Sequence, residues 1–200
     1  MVSGLILAAG RSSRMGRSKA MLLSAPGGPT FVARLARSLC EGGLSEALVV
    51  GRPEDAALRA EVESIAPCAR FVANRDADAG QLSSLLAGLN AADRPGVRAV
   101  LVVPVDAPLV APETVAAVIR EFESGSAPIV RAVHHGRHGH PVVFSRAMFT
   151  ELRHADPAVG ARAVLRAHEA VIVNVDVDDP GVLGDVDTPE DYRTLFGRDL

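Results

Sequence analysis

The sequence predicts a three-layer α/β domain with a mostly parallel, mixed sheet. Short apolar runs alternate with segments of helical periodicity along the chain, and Val and Ile dominate most of the runs. Apolar runs of this kind are typical of strands covered on both faces, and their alternation with helices indicates βαβ units. Residues 1–200 fit a single domain, because the sequence shows no internal repeat and no linker long enough to divide it.

The positions of the strands and helices follow from these two patterns. The predicted strands are Gly4–Ala8, Ala47–Val50, Arg70–Ala73, Ala99–Val103, Pro128–Val133, Pro141–Phe144 and Ala170–Val175. The predicted helices, with apolar residues three and four positions apart, are Thr30–Cys40, Gln81–Ala92 and Pro112–Glu123. A last helix is expected to begin at Thr188, because Thr can cap a helix, Pro189 suits its first position and an acid follows.

The segment His134–His140 breaks the alternation of strands and helices. Two short strands surround the letters HHGRHG and leave no room for a helix, so we expect at least one antiparallel pairing there. His135 and His138 are spaced i, i+3, but no Cys or Asp joins them. The segment therefore does not favour a zinc site.

Composition excludes several classes of protein. The net charge is −3 with both signs interspersed, and the chain has no Trp and one Tyr, which disfavours nucleic-acid binding. The apolar runs fall well short of the ~18 residues that a membrane span requires. Cys40 and Cys68 stand singly in or beside apolar segments, so buried free thiols are expected. With no recognisable secretion signal, we expect a cytoplasmic protein.

The segment after the first strand indicates an anion-binding loop. It runs from Ala8 to Lys19 and reads AAGRSSRMGRSK, in which small residues let the backbone approach a ligand and successive N–H groups can form a nest. Arg14 and Lys19 are suited to neutralising phosphate oxygens. The segment is neither a Walker A loop, because Arg17 follows Gly16, nor a G-x-G-x-x-G turn. A solvated basic turn is the alternative.

Acidic residues follow two other predicted strands. Asp106 comes after the run Ala99–Val103, where its carboxylate would lie at the carboxyl edge of the sheet and suit Mg²⁺ beside a triphosphate. Asp185 and Asp187 lie just upstream of the helix start at Thr188. A helix-capping or turn-capping role is the alternative for each of these carboxylates.

The first loop resembles the L-A-(A/G)-G-x-S-x-R-M-G-x-x-K loop of the MobA-like nucleotidyltransferases, and among them the molybdenum cofactor cytidylyltransferase (MocA-like) type. The resemblance implies a Rossmann-like nucleotidyltransferase fold. The segment NRDADAGQLSSLLAGL likewise resembles one that lies beside the nucleotide in that family. The nucleotide contacts that these two segments imply are Leu7, Ala8, Ala9, Gly10, Arg11, Ser12, Arg14, Met15, Gly16, Lys19, Asn74, Gly80, Ser83 and Ser84.

Four further segments carry the resemblance to about residue 192. VLVVPVDAPLV and GDVDTPEDY match the metal-binding segments, which implies Mg²⁺ on Asp106 and on Asp185 or Asp187. Pro104 and Val105 before this aspartate depart from the usual pattern. GRHGHPVVFS and DPAVGARAVLRAH match segments that face the acceptor substrate. The implied acceptor contacts are Asp106, Pro108, Gly139, His140, Pro141 and Arg162.

The resemblance implies a Mg²⁺-dependent transfer of NMP from an NTP to a phosphorylated acceptor, with release of pyrophosphate. Arg14, Lys19 and Asp106 would be the catalytic residues, and Ala9 favours CTP, because guanylyltransferases tend to have L-A-G-G. The implied acceptor is the pterin of the molybdenum cofactor, and the implied protein partner is an apo-molybdoenzyme or its chaperone.

Other functions stay open at this point. They are a guanylyltransferase, a transferase for a sugar, polyol or phospholactate acceptor, and a non-catalytic carrier of the molybdenum cofactor. A dinucleotide-binding oxidoreductase is less favoured, because the G-x-G-x-x-G turn is missing after the first strand.

Overall fold

The secondary structure consists of seven strands and seven α-helices within residues 1–65 and 67–200, which the computed structural model describes. The strands are β1 Val2–Leu7, β2 Ala47–Gly51, β3 Ala69–Ala73, β4 Ala99–Pro104, β5 Ile129–His134, β6 Arg137–Ser145 and β7 Ile172–Asp176. The helices are α1 Phe31–Glu41, α2 Ala56–Ser64, α3 Gln81–Ala92, α4 Pro112–Ser124, α5 Phe149–Arg153, α6 Ala161–Ala167 and α7 Pro189–Phe196.

All seven strands belong to one sheet in the order β3-β2-β1-β4-β6-β5-β7. The pairs β3–β2, β2–β1, β1–β4 and β5–β7 are parallel, whereas β6 runs antiparallel to both of its neighbours. The expected antiparallel pairing is confirmed: His134 pairs with Arg137, and His135 and Gly136 form the turn with positive φ. The predicted mixed α/β fold is confirmed with it.

Helices cover both faces of the sheet, which explains the apolar runs. Along β4, Leu101 and Val103 belong to the core under α1, α2, α4 and α7, while Val100 and Val102 belong to the core under α3, α5 and α6. Every residue of β4 is buried. Strands buried on both faces have no polar face to alternate with, which is why Val and Leu run continuously.

Capping residues fix the beginnings of the helices that flank the site. Thr30 accepts a hydrogen bond from the backbone N–H of Ala33 at the start of α1. At α7, Thr188 and Asp191 form a capping box with Pro189 in the first turn, as the sequence predicts. The Asp191 carboxylate also accepts the backbone N–H of Asp187 at 3.0 Å, and this bond fixes the segment that carries the late acids.

The prediction of free thiols is wrong, because the structure joins Cys40 and Cys68 in a disulfide. Cys40 lies in the last turn of α1, and Cys68 precedes β3 beside the start of β2, where its carbonyl accepts the N–H of Ala47. The two Cα atoms are 6.4 Å apart, within the range that a disulfide spans. Sequence spacing gave no signal, because packing of α1 on the sheet brings the residues together.

Two smaller differences concern element boundaries and spans. β7 begins at Ile172 rather than at Ala170, because Glu169–Val171 form a 3₁₀ turn. Among the described residues, the search for a helix that is long and apolar enough to cross a membrane finds none.

The close approach of α1 to α4 gives a testable prediction. A Cβ on Gly42 would lie 2.5 Å from Val115 Cβ and 2.9 Å from the Pro112 carbonyl oxygen. Gly42 has φ −74°, which any residue adopts, so Gly42→Ala should destabilise by steric overlap alone, by about 1–3 kcal/mol. Urea denaturation measures this. Gly184→Ala, whose Cβ would meet no atom closer than 3.5 Å, is the control; equal stability of the two variants would contradict the packing.

Candidate active site

The site lies at the carboxyl ends of β1 and β4, neighbouring strands whose connections leave in opposite directions. Ligands of open α/β sheets bind at such a switch point. A cavity of about 420 Å³, called here the first cavity, opens at this place. Its lining comes from the first loop, the start of α3 and the segments after β4 and before α7.

Most of the predicted nucleotide contacts line the first cavity. They are Leu7, Ala8, Ala9, Gly10, Arg11, Ser12, Arg14, Lys19, Gly80 and Ser84. The Ser12 hydroxyl accepts the backbone N–H of Lys19 at 3.1 Å, which closes the loop on itself.

Four predicted nucleotide contacts, Met15, Gly16, Asn74 and Ser83, do not line the first cavity. Met15 is buried in the core and anchors the loop, and Gly16 supplies a positive φ of 68° beside it. Asn74 is buried and donates through Nδ2 to the hydroxyls of Ser83 at 2.9 Å and Ser84 at 3.0 Å. Asn74 therefore positions the start of α3, which explains why the sequence pattern includes it.

Lys19 lies among the predicted metal carboxylates. Its Nζ is 2.6 Å from Asp187 Oδ1 and 3.6 Å from Asp106 Oδ2, and its side chain is only 12% exposed. The first of these is a hydrogen-bonded ion pair, and the second is longer than a hydrogen bond. Lys19 is also the only lysine in a chain with 21 Lys and Arg residues. A compact ammonium thus occupies the one position where the two acids meet.

The three acids carry more negative charge than the site neutralises. Burial raises the pKa of the Asp106 carboxyl; Lys19 opposes this rise and the charge of Asp187 adds to it. Burial likewise raises the pKa of Asp185, as do the charges of Asp106 and Asp187. The hydrogen bond from Lys19 lowers the pKa of Asp187. A further cation would relieve this repulsion.

The donor set fits a hard divalent cation. Among residues 1–65 and 67–200, no group of three or more His, Cys, Asp or Glu side chains is arranged to hold a metal ion. Mg²⁺ is usually held by one or two carboxylates, with phosphate oxygens and water completing its shell. Asp106 and Asp185, whose negative charges destabilise each other, would supply such a pair, whereas Asp187 already has Lys19 and Arg14 as partners.

An ion-pair network at the mouth of the first cavity was missed by the sequence analysis. Asp78 binds Arg11 through two hydrogen bonds of 3.0 and 2.7 Å and Arg52 through one of 2.5 Å. The bond from Arg11, followed by that from Arg52, lowers the pKa of Asp78 to about 2. Arg52 also donates to the Ala9 carbonyl at 3.1 Å. No local pattern marks Arg52, because β2 and the first loop meet only in the fold.

A larger cavity of about 740 Å³, called here the second cavity, adjoins the first. The two share Leu7, Gly80, Gln81, Pro104, Asp106 and Asp187 in their linings. Of the predicted acceptor contacts, Asp106, Gly139, His140 and Arg162 line the second cavity, and Asp185 joins them. Pro108 and Pro141 do not, because both are buried behind the residues that do.

Gly139 and His140 form one wall of the second cavity. A Cβ on Gly139 would collide with the backbone carbonyl of Val182, so only glycine fits there. The His140 Nδ1 atom is buried and has no hydrogen-bond partner among the described residues. Burial lowers the pKa of His140 to about 4, a hydrogen bond to the Val102 backbone raises it, and the charge of Arg162 lowers it further. The ring is therefore neutral at physiological pH.

A glycine-rich cationic loop at the switch point, beside paired carboxylates and a second ligand cavity, defines a nucleotidyltransferase site. The domain model described as "MobA-like NTP transferase domain" matches residues 4–171. The chain belongs to this family, as the sequence analysis predicts.

Two characterised proteins are similar in sequence. The nicotine blue oxidoreductase of Paenarthrobacter nicotinovorans is 31% identical over 97% of this chain and 96% of its own length. The probable molybdenum cofactor guanylyltransferase of Opitutus terrae is 34% identical over 65% of this chain and 60% of its own length. The family thus includes relatives with different named activities.

Solved structures show the same fold. Rv0371c from Mycobacterium tuberculosis H37Rv superposes with a TM-score of 0.82 and 26% identity, with 98% of each chain covered. A structure of Rv0371c in complex with manganese superposes with a TM-score of 0.72 at 24% identity, again over 98% of each chain. The nucleotidyl transferase from Methanothermobacter thermautotroptrophicus gives a TM-score of 0.80 at 21% identity, over 98% of this chain and 96% of that one.

The buried His140 gives a pH-dependent prediction. Its pKa falls from 6.5 to about 4 in the folded protein, so the unfolded chain takes up a proton first as the pH decreases. The stabilisation is complete above pH 6.5 and is lost as the pH falls towards 4, by on the order of 2–3 kcal/mol. The difference in unfolding free energy between wild type and His140→Gln should shrink by this amount between those pH values. An unchanged difference would contradict the buried neutral ring; the exposed His135, as His135→Asn, is the control.

Proposed function

We propose that the protein transfers NMP, with CMP favoured, from an NTP to the phosphate of the molybdenum-cofactor pterin and releases pyrophosphate. The observation that carries the proposal is the position of Lys19 between Asp106 and Asp187, on the boundary that the two cavities share. Residues 1–200 would act as one domain, since all seven strands form one sheet.

The first cavity suits the triphosphate. Its loop offers backbone N–H groups to phosphate oxygens, and Arg14 and Lys19 supply positive charge at the end nearest Asp187. When a nucleotide binds, its phosphates would take the place of the carboxylates as partners of Lys19. The same two cations would then stabilise the departing pyrophosphate.

Asp106 and Asp185 would hold Mg²⁺, which supplies neutralisation of phosphate charge when bound. The repulsion between these carboxylates and the manganese complex of the related Rv0371c support a divalent metal here. Asp106 lines both cavities, so it lies where the α-phosphorus and the acceptor phosphate would meet. Catalysis would come from holding two repelling anions in line, with no covalent intermediate on the protein.

The base and the acceptor can each be questioned. Ala9 favours CTP, but the similarity to a protein named as a molybdenum cofactor guanylyltransferase supports GTP as the alternative. An apo-molybdoenzyme or its chaperone would receive the product. A sugar, polyol or phospholactate acceptor, or a carrier function without catalysis, would each leave the nucleotide site as described.

An oxidoreductase is the second candidate function, favoured by one observation. The relative that matches nearly the whole chain is named nicotine blue oxidoreductase. Lys19 and the three acids speak for transfer instead, because hydride transfer has no need of a lysine among carboxylates. Titration with NADPH, followed by its fluorescence, separates the two functions.

Pyrophosphate release is the first test of the proposal. With molybdopterin, Mg²⁺ and each NTP in turn, CTP should give the fastest release. Lys19→Ala and Asp106→Asn should each reduce kcat/KM at least 100-fold, because each removes charge compensation at the reacting phosphates. Lys19→Arg should not restore activity, because the 12% exposed position leaves little room for a guanidinium.

Arg17→Ala is the matched control for the loop cations. Arg17 is exposed in the same loop and does not line the first cavity, so this variant should keep most of the activity. Release that survives Lys19→Ala and Asp106→Asn would contradict the proposed mechanism. Faster release with GTP would remove the preference for CTP and leave the mechanism intact.

A further inference from the structure

Arg131 is a buried cation in the second cavity that the proposed reaction does not use. It lies on β5, its side chain is 6% exposed, and it lines the cavity. A buried guanidinium is costly to desolvate, so its side chain should be held by several hydrogen bonds. Its partners show which of its donors are committed.

Three of the partners fix the orientation of the guanidinium. Nε donates to Asn174 Oδ1 at 3.0 Å, and Nη2 donates to Glu169 Oε1 at 3.1 Å. Nη2 also lies 3.1 Å from His138 Nε2. Because arginine can only donate, His138 Nε2 must accept, and the ring proton lies on Nδ1.

The remaining nitrogen, Nη1, makes no hydrogen bond within the described residues. Glu169 compensates the charge only in part, because its side chain is 55% exposed and water screens it. Arg131 thus presents a fixed positive charge and free N–H donors to a ligand in the second cavity.

Arg131 lies far from the reacting phosphate. Val142 pairs with both Arg131 and Val102, so Arg131 lies two strands, or ~10 Å, across the sheet from Val102. Asp106 lies four residues beyond Val102, or ~13 Å along the strand direction. With the side chains allowed for, on the order of 10 Å separates the guanidinium from a phosphate held beside Asp106.

A different arginine serves the end near the metal site. Arg162 acts electrostatically on both Asp185 and His140, which places its charge beside the carboxylates. The acceptor phosphate therefore has Arg162 as its partner. Between the two arginines the cavity is apolar, with Leu82, Leu85, Val142 and Phe144 among its walls.

We infer that Arg131 binds a carbonyl or carboxylate oxygen at the end of the acceptor remote from its phosphate. The inference rests on the proposed function and specifies the class of acceptor. It is an elongated molecule with a flat, apolar body between two oxygen-bearing ends. Phospholactate, whose carboxylate and phosphate are bonded to one carbon, is too short, and sugar or polyol phosphates have no apolar body. Asn174 and Glu169 are positioning residues for Arg131.

The kinetic test separates binding of the acceptor from binding of the nucleotide. Arg131→Met should raise KM for molybdopterin at least tenfold while KM for the NTP stays unchanged. Arg131→Lys keeps the charge but loses the fork, and should recover only part of the affinity. Arg166→Met, an exposed arginine on α6 outside the cavity, is the control. An unchanged KM for molybdopterin in Arg131→Met would overturn the inference.

A binding test judges Arg131 independently of turnover. The wild-type protein, with CTP at saturation in the first cavity, is titrated into pterin and into 2,4-diaminopteridine, whose 4-amino group replaces the carbonyl oxygen by a donor. Fluorescence anisotropy should show at least tenfold tighter binding of pterin, and Arg131→Met should abolish that preference. Equal affinities in the wild type, or no binding of either compound, would overturn the inference. Absence of turnover with molybdopterin, despite this preference, would instead refute the proposed function.

Discussion

The structure of the site depends on the charge balance between one lysine and the carboxylates around it. Lys19 ends the first loop, and its ammonium contacts Asp187, which precedes α7, and approaches Asp106, which follows β4. Three segments that are distant in sequence are therefore held at one point by a single cation. Because burial also raises the pKa of Asp106 and Asp185, the balance without ligands is incomplete, and a metal with a polyphosphate would complete it.

The same arrangement explains why two cavities meet there. The first cavity is bounded by a loop that Met15 anchors in the core and by an α3 start that Asn74 holds in place. The second cavity is bounded by the antiparallel strand β6, which brings His140 and Gly139 opposite the end of β4. The antiparallel insertion thus makes room for a second substrate beside the edge that binds the first.

The sequence predicts the parts of the site that lie in one continuous segment. Lys19, Arg14 and Asp106 follow strands directly, so the alternation of strands and helices places them at one edge. Arg52, Asp78 and Arg131 could not be found, because each acts through a partner from another strand or turn. The Cys40–Cys68 pairing was missed for the same reason. Local pattern reveals a strand and its loop, while contacts across the sheet require the fold.

The most direct measurement uses the fact that Lys19 is the only lysine. Protein labelled with ¹³C-lysine gives a single side-chain signal by NMR, which reports the surroundings of this ammonium. Addition of Mg²⁺ and CTP together should shift the signal as phosphate replaces Asp187 as its partner, and Asp187→Asn should shift it before any ligand is added. A signal that no nucleotide moves, with or without metal, would contradict the account of Lys19 as the phosphate-binding residue.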